Sequence, residues 1–324
     1  MHKLLPLLGT CLMVAACTGT GTGAGSPTPG VSPNPPATPA VSPGYAVATD
    51  PSKLILRIAA GGGFIAPTYL LAAVPEFALY GDGRIIVPGP VDAIYPSPLL
   101  PNLLVARVTP AEIQKIVTAA DSAGLLGPDA TFDVVGIADA STTVFTTVVN
   151  GKAHRIGAYA LGEAGGIGGH GPVGGPTADP AIAAARAKLS AFRAQMTDLA
   201  TFLGRPVSET EAYVAAGMRA FLTDVSPADP AQPTHPAQPA APDPGQPALQ
   251  VVVWPLSADP ATAGQPTTVP GTVCVLLTGG DLSSFVAVAS TANAATMWTY
   301  GKARYAVTVH PLYPNESSCA GSSL

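Results

Sequence analysis

The sequence predicts an α+β fold in which antiparallel β-hairpins carry helices packed on one face of the sheet. Three observations predict it. Two turn signals, Gly81-Asp82-Gly83 and Asn150-Gly151, adjoin apolar or β-branched runs, which is the pattern of a β-hairpin. Two longer stretches, Thr109 to Gly124 and Pro180 to Leu203, repeat apolar residues at the period of a helix. A second cap-and-helix segment late in the chain matches the first, so a duplicated strand–helix unit is a further expectation.

The chain has 324 residues, enough for one large or two modest domains. It is 47% hydrophobic, ample for a core, but only 11% charged, against about 25% in average soluble proteins. The net charge is −5, and Lys and Arg form no cluster. A nucleic-acid footprint needs clustered basic residues, so nucleic-acid partners are excluded.

Taken in order, the first residues read as a secretion signal over 1–16. His2 and Lys3 give a short polar start, and Leu4 to Ala16 is an apolar run of signal length. It is shorter than the roughly 20 residues that a membrane span needs. Val14-Ala15-Ala16-Cys17 resembles the lipobox of bacterial lipoproteins. The resemblance implies that the signal is cut before Cys17 and that Cys17 carries a diacylglyceryl group. An ordinary signal with Cys17 as a bystander is the alternative. The cysteine's position, the small residues before it and the Gly/Thr/Pro tract after it favour the anchor. Two acyl chains hold a protein far better than one. The tract up to residue 47 lacks the apolar residues to fold and reads as a tether.

A first α+β region is expected over 48–225. Leu54 to Ala59 is a strand candidate, and Phe77 to Tyr80 pairs with Arg84 to Val87 across the Gly-Asp-Gly turn. A Pro-rich loop follows, then a strand candidate over Leu103 to Val108. Thr109 is a good N-cap, Pro110 suits the first helical position, and Glu112 completes a capping box. Ile113, Ile116, Val117 and Ala120 form one apolar face, and Gly124 can close the helix. The β-branched run before Asn150-Gly151 makes the second hairpin. From Ile182 to Leu203 the apolar stripe predicts one long core-facing helix. Ser208 and Glu211 predict a short helix running into "AGMRAFL".

A Pro/Ala-rich insert occupies 226–247. Pro227, Pro230, Pro233, Pro236, Pro239 and Pro242 recur every third residue, the period of a polyproline II helix. It reads as a stiff solvated loop, since an SH3-type ligand does not suit a chain outside the cell. The C-terminal α+β region, 248–324, is expected to pack on the first. Within it, "LTGGDLSSFVAVASTAN" matches "VTPAEIQKIVTAADSAG" at constant offset. Thr278 stands where Thr109 stands, Asp281 for Glu112, Phe285 for Ile116, and Asn293 for Gly124. Strand candidates precede each copy, and Arg304 to Val309 supplies another strand.

Cys11 would leave with the signal. With Cys17 lipidated, Cys274 and Cys319 remain as the natural disulfide in an oxidising compartment. In the chain-entropy view such a loop stabilises by roughly 4 kcal/mol. A metal site is the competing reading for this pair. It fails on ligand count, because no CxxC or HxxxH spacing accompanies the pair.

"FALYGDGRII", "ADASTTV" and "TMWTYGKARYAVTVHPLYPNESSC" together resemble a group of secreted and lipoprotein sequences from high-GC Gram-positive bacteria. The likeness runs from about Leu54 to Cys319. It implies an extracytoplasmic α+β domain with a disulfide near the C-terminus, and it carries over no catalytic residue. The long Pro/Ala insert departs from the group.

The remaining constellations read as structure rather than chemistry. Gly166, Gly168 and Gly171 have dinucleotide-fingerprint spacing, but the next helix starts some residues later, so they read as a loop. His154, His170, His235 and His310 are dispersed. Asp133 and Asp139 suit turn and capping roles better than an acid/base pair. Trp254, Trp298 and Tyr300 read as core, with an aromatic pocket as the alternative. Asn315-Glu316-Ser317 is a formal glycosylation sequon that most bacteria would not use. No cofactor, metal or catalytic residue is expected. The sequence thus predicts a membrane-anchored extracytoplasmic lipoprotein that presents a binding or interaction domain. Its partners would be the membrane, through the lipid, and an envelope protein or ligand. An extracytoplasmic hydrolase-like enzyme, whose site forms only in three dimensions, and a structural envelope protein are the alternatives.

Overall fold

The computed structural model describes residues 44–134, 136–162, 179–207, 210–226 and 249–320. The signal, Cys11, Cys17 and most of the tether lie outside these residues. So do Gly166, Gly168, Gly171, His170, Ser208, His235 and the Pro tract.

From Pro43 onward the chain is one compact unit with two mostly antiparallel sheets, an α+β fold as expected. It opens with β1 (Leu54–Gly61), α1 (Pro67–Ala72), β2 (Phe77–Tyr80), β3 (Arg84–Pro88) and β4 (Leu103–Arg107). Then come α2 (Pro110–Ser122), β5 (Ala130–Phe132), β6 (Thr142–Val149) and β7 (Lys152–Tyr159). Next are α3 (Pro180–Thr197), α4 (Leu199–Leu203), β8 (Glu211–Ala212) and β9 (Gly217–Asp224). The last part holds β10 (Val251–Val253), α5 (Pro260–Ala263), β11 (Gln265–Pro266) and β12 (Thr272–Thr278). It ends with α6 (Gly279–Ala289), β13 (Met297–Tyr300) and β14 (Ala303–Pro311).

The larger sheet has the order β5-β7-β6-β1-β2-β3-β4-β8, and the smaller β10-β13-β14-β9-β12-β11. Among the described residues, only β5–β7 and β10–β13 pair in parallel. Both hairpin turns form as their glycines predict. Asn150 and Gly151 have φ of 53° and 72°, the two positive values of a type I′ turn. Gly83 has φ 80°, and a Cβ there would collide with the Val108 carbonyl oxygen.

One face of the larger sheet carries α2 and α3. Ile55, Leu79, Ile85, Phe145 and Ile156 meet Ile113, Ile116 and Val117 of α2 and Leu189, Phe192 and Met196 of α3. The capping box of α2 is complete. The Glu112 amide donates to Thr109 Oγ1 at 3.3 Å, and the Thr109 amide donates to Glu112 Oε2 at 2.8 Å. Gly124 follows the helix at φ 88°. The stripe from Ile182 to Leu203 is two helices, not one. Asp198 breaks it at φ −114°, ψ 64°, and its carboxylate accepts from the Thr201 amide to cap α4.

Two expectations are corrected. The segment entering "AGMRAFL" is strand, not helix: Glu211–Ala212 is β8 and Gly217–Asp224 is β9. Met218, Ala220 and Leu222 face one core while Arg219 faces away, so the period is two. A short apolar run cannot announce that period, and β9's place between β14 and β12 decides it. The start of the domain is also earlier than the tether reading put it. Tyr45 bonds Gln114 and Asp121, and Ala46 exchanges bonds with Asn150.

The duplicated unit is not shown. Both matched segments are helices after strands, and Ile116 and Phe285 are both fully buried. The surroundings differ. Thr278 makes no side-chain capping bond, and Asn293 is not among the residues with positive φ. After α2 the first strand of the hairpin, β6, joins β1; after α6 the second strand, β14, joins β9. The matched spacing is thus carried by two helices that sit in unlike surroundings.

α6 packs on one face of the smaller sheet. Phe285 stacks on Trp298 with ring centroids 5.2 Å apart, and Trp254 lies edge-on to Trp298 at 6.0 Å. The other face of β2, β3 and β4 is covered by the segment after β14. There Tyr313 packs on Ala78, Tyr80, Ile86, Leu103 and Val105.

Candidate functional site: an apolar pole opposite the N-terminal entry

Strand polarity gives the larger sheet two unlike ends. β1, β3, β5, β7 and β8 run one way, and β2, β4 and β6 the other. The connections after β1, β3, β5, β7 and β8 therefore emerge at one end, here the distal pole. The chain enters at the other end, where the Ala46 amide bonds Asn150 in the β6–β7 turn at 2.9 Å. Eight-residue strands set the two ends about 25 Å apart.

The distal pole is apolar and exposed. The loop after β1 presents Phe64 and Ile65 and leads to Tyr69; the loop after β3 presents Val91, Ile94 and Tyr95; and Val214 follows β8. Phe64 is 89% exposed, Tyr95 86% and Val214 87%. Single exposed apolar side chains are ordinary, but a set gathered at one end of a sheet marks an interaction site. The first loop has a defined course. The Phe64 amide donates to the Asp139 carbonyl oxygen at 3.3 Å, and Gly63, at φ 81°, lies too close to that oxygen for any Cβ. The loop after β3 is tied to the loop between α6 and β13 by the Leu99 amide on Ala292 O at 3.1 Å and the Ala294 amide on Ser97 O at 2.8 Å.

Charge divides along the same axis. In the described residues of the distal connections (62–76, 89–102, 133–134, 136–141, 160–162, 179 and 213–216) the charged side chains are Glu76, Asp92, Asp133, Asp139 and Asp179, with no Lys or Arg. Two arginines of α3 approach this end and are engaged. Arg193 holds Glu76 through two bonds of 2.7 and 2.6 Å, and Arg186 donates to the Phe132, Tyr159 and Ala160 carbonyls. The described connections at the entry end (44–53, 81–83, 108–129, 150–151, 204–207 and 210) carry both signs, Lys53, Lys115 and Arg205 with Asp50, Asp82, Glu112, Asp121 and Asp129.

The buried polar groups form a second cluster, beneath the C-terminal segment. Arg219 is 1% exposed and donates through Nε to the Ser318 carbonyl at 2.6 Å, while its Nη1 lies 3.5 Å from Glu316 Oε2. His310 places Nδ1 3.1 Å from Ala73 O and Nε2 2.9 Å from Glu316 Oε2. Burial pushes the Glu316 carboxyl up, but the His310 ring, the Tyr313 amide and Arg219 outweigh it and hold the group below its ordinary range. Burial and the Glu316 charge push the Tyr80 and Tyr313 phenols well up, and burial pushes Tyr213 up to about 12. Tyr80 donates to Asn315 Oδ1 at 2.8 Å, and Tyr213 to the Leu312 carbonyl at 2.7 Å. An open cleft of about 480 Å³ between Ser52–Leu54, Val148 and Pro314–Ser317 borders this cluster. The Glu316 carboxylate is taken up by its partners within the fold, which suits bracing better than proton transfer to a ligand.

The other residues that the sequence singled out sit apart from the pole. Cys274 and Cys319 form a disulfide, with Cα atoms 5.9 Å apart. His154 is buried, with Nδ1 2.6 Å from Gly127 O. Trp254 and Trp298 are core, and the Tyr300 hydroxyl bonds Ser257 O at 2.6 Å, so the three do not line an open pocket. Asp139 has φ 60° and serves the distal loop through its backbone, a turn role. The sequence reading named none of the distal apolar residues. Their signal was there, as large apolar side chains inside Gly- and Pro-rich loops. Comparison of the chain with protein-family models, with curated proteins and with solved structures finds no match.

Proposed function

We propose that this chain is a membrane-anchored extracytoplasmic lipoprotein whose α+β domain is presented for binding. The observation that carries the reading is the arrangement of the domain along one axis. The described chain enters at one end of the larger sheet, and the exposed Phe64, Tyr95 and Val214 stand at the other. An anchored protein that binds something other than its own membrane needs that order. A disulfide suits an oxidising compartment. No helix among the described residues is long and apolar enough to cross a membrane, so attachment in this reading falls to the lipid on Cys17.

The test is fractionation of cells expressing the full chain with Cys17→Ser. The variant is expected to leave the membrane fraction or to accumulate as uncut precursor. Normal processing with unchanged membrane partitioning would remove the anchor from the reading.

A further inference from the structure

We infer that the distal pole docks a protein whose contact surface is apolar at its centre and basic at its rim. The inference rests on the reading of the domain as displayed for binding and names its partner class. Three occupants could cover such a pole: a lipid surface, a second copy of this chain, or another protein. The charge pattern separates them. A peripheral membrane-binding surface pairs apolar side chains with Lys and Arg that meet anionic headgroups. The described distal connections contain neither, and carry Asp92, Asp133 and Asp139 instead. A second copy would set acidic rim against acidic rim, and like charges facing each other oppose association. A partner with basic rim residues gains from the same acids, and an aromatic anchor on it or on this pole supplies the central burial.

The pole is suited to such an anchor. Phe64 and Tyr95 project from loops whose backbones are fixed, by Asp139 O in one case and by Ala292 and Ala294 in the other. A fixed loop loses little conformational freedom on docking, which favours affinity.

The experiment places a photo-crosslinking amino acid at Tyr95, and separately at Lys53 on the entry end, in the full-length protein in intact cells. Adducts are identified by mass spectrometry. The expected result is a protein adduct from position 95, absent from position 53, whose cross-linked site lies on an apolar surface with neighbouring Lys or Arg. Phe64→Ser should lower its yield about tenfold or more, the size of a hot-spot loss. Asp92→Lys with Asp139→Lys should also lower it, and raised salt should do the same. These side chains lie on surface loops, so unchanged thermal unfolding of each variant confirms that folding is intact. Lipid adducts, flotation of the purified domain with phosphatidylcholine–phosphatidylglycerol vesicles, self-adducts, an adduct on an acidic surface, or no adduct at position 95 would each overturn the inference. Release of Cys17→Ser from membranes with no adduct at position 95 would overturn the partner and leave the anchor standing. The converse pair of results would do the reverse.

Discussion

Arg219 is a guanidinium in the middle of a sheet, and its charge is answered by one carboxylate, Glu316, which also serves His310. The His310 ring, the Tyr313 amide and the Arg219 charge together hold the Glu316 carboxyl below its ordinary range despite burial. Glu316→Gln keeps the shape and removes the charge, which leaves Arg219 buried without a counter-ion. The expected cost is about 3–5 kcal/mol in urea unfolding, because one partner of a buried pair has been removed. The pH sign follows from the direction of the shift. A carboxyl held below its ordinary value of 4.5 contributes stability above that value, and the contribution is lost as pH falls through the folded value. Glu112 is held at about 2, chiefly by Arg205, and loses its smaller, solvent-screened share in the same acid window. Stability of the wild type should therefore fall below about pH 4.5, and Glu316→Gln should show a shallower fall. A variant with the wild-type acid profile would show that Glu316 is not the linked group. None of this was legible in the sequence, where Arg219 is one letter in "GMRAFL" and its carboxylate lies far along the chain.

Among the elements, α2 and α6 show how far matched letters go. Thr109 closes a full capping box, and Thr278 caps nothing with its side chain. Thr109→Ala should cost about 1 kcal/mol, and Thr278→Ala less than about 0.5. Equal costs, read from denaturant midpoints, would contradict this assignment of caps. The buried faces are alike, so Ile116→Ala and Phe285→Ala should each cost about 2–5 kcal/mol. α2 was legible because cap, first-turn proline, apolar face and closing glycine all agree locally, and the two hairpins were legible because their turns need positive φ. β9 was not, since an interior strand of a sheet is chosen by neighbours that arrive later in the chain. Short strands such as β10 and β13 have too few residues to show a period, and they form because each finds a ready partner edge. Asp198 broke a stripe that continues through it, because an Asp side chain offers the next helix a cap that periodicity does not register.

At the scale of the whole molecule, the segment from Leu312 to Cys319 joins the two sheets. It bonds Gly217 of the smaller sheet through the Leu312 amide, accepts from Tyr80 of the larger sheet at Asn315, accepts from Arg219 at Ser318, and ends in the disulfide to Cys274 of β12. Counting cysteines made the pairing legible, but not what it fastens, because the strap's partners on β2, β8 and β9 are scattered along the sequence. The distal pole stayed hidden for a similar reason: Phe64, Tyr95 and Val214 become one end only after the strand order is known. The strap makes a prediction that its packing decides. Without the bond, the denatured chain regains the freedom of a loop of sequence separation 45, which in the chain-entropy view costs about 4 kcal/mol of stability. Native strain is the opposing effect, and the hydrogen bonds and burial of Tyr313 hold the segment in place without the bond. The double variant Cys274→Ser, Cys319→Ser should therefore still fold, with unfolding free energy lower by about 4 kcal/mol. Its first opening should be local, because the apolar cover is Leu312 and Tyr313 and the stretch from Asn315 to Ser318 is polar. Limited proteolysis should then cut beyond Pro311 before it cuts α2 or α3, and the released domain should bind a hydrophobic dye on the uncovered face of Ala78, Ile86 and Val105. If the oxidised protein and the double variant lose the C-terminal segment at the same rate, the disulfide does not hold the strap, and Tyr313 with the Arg219–Glu316 pair holds it alone.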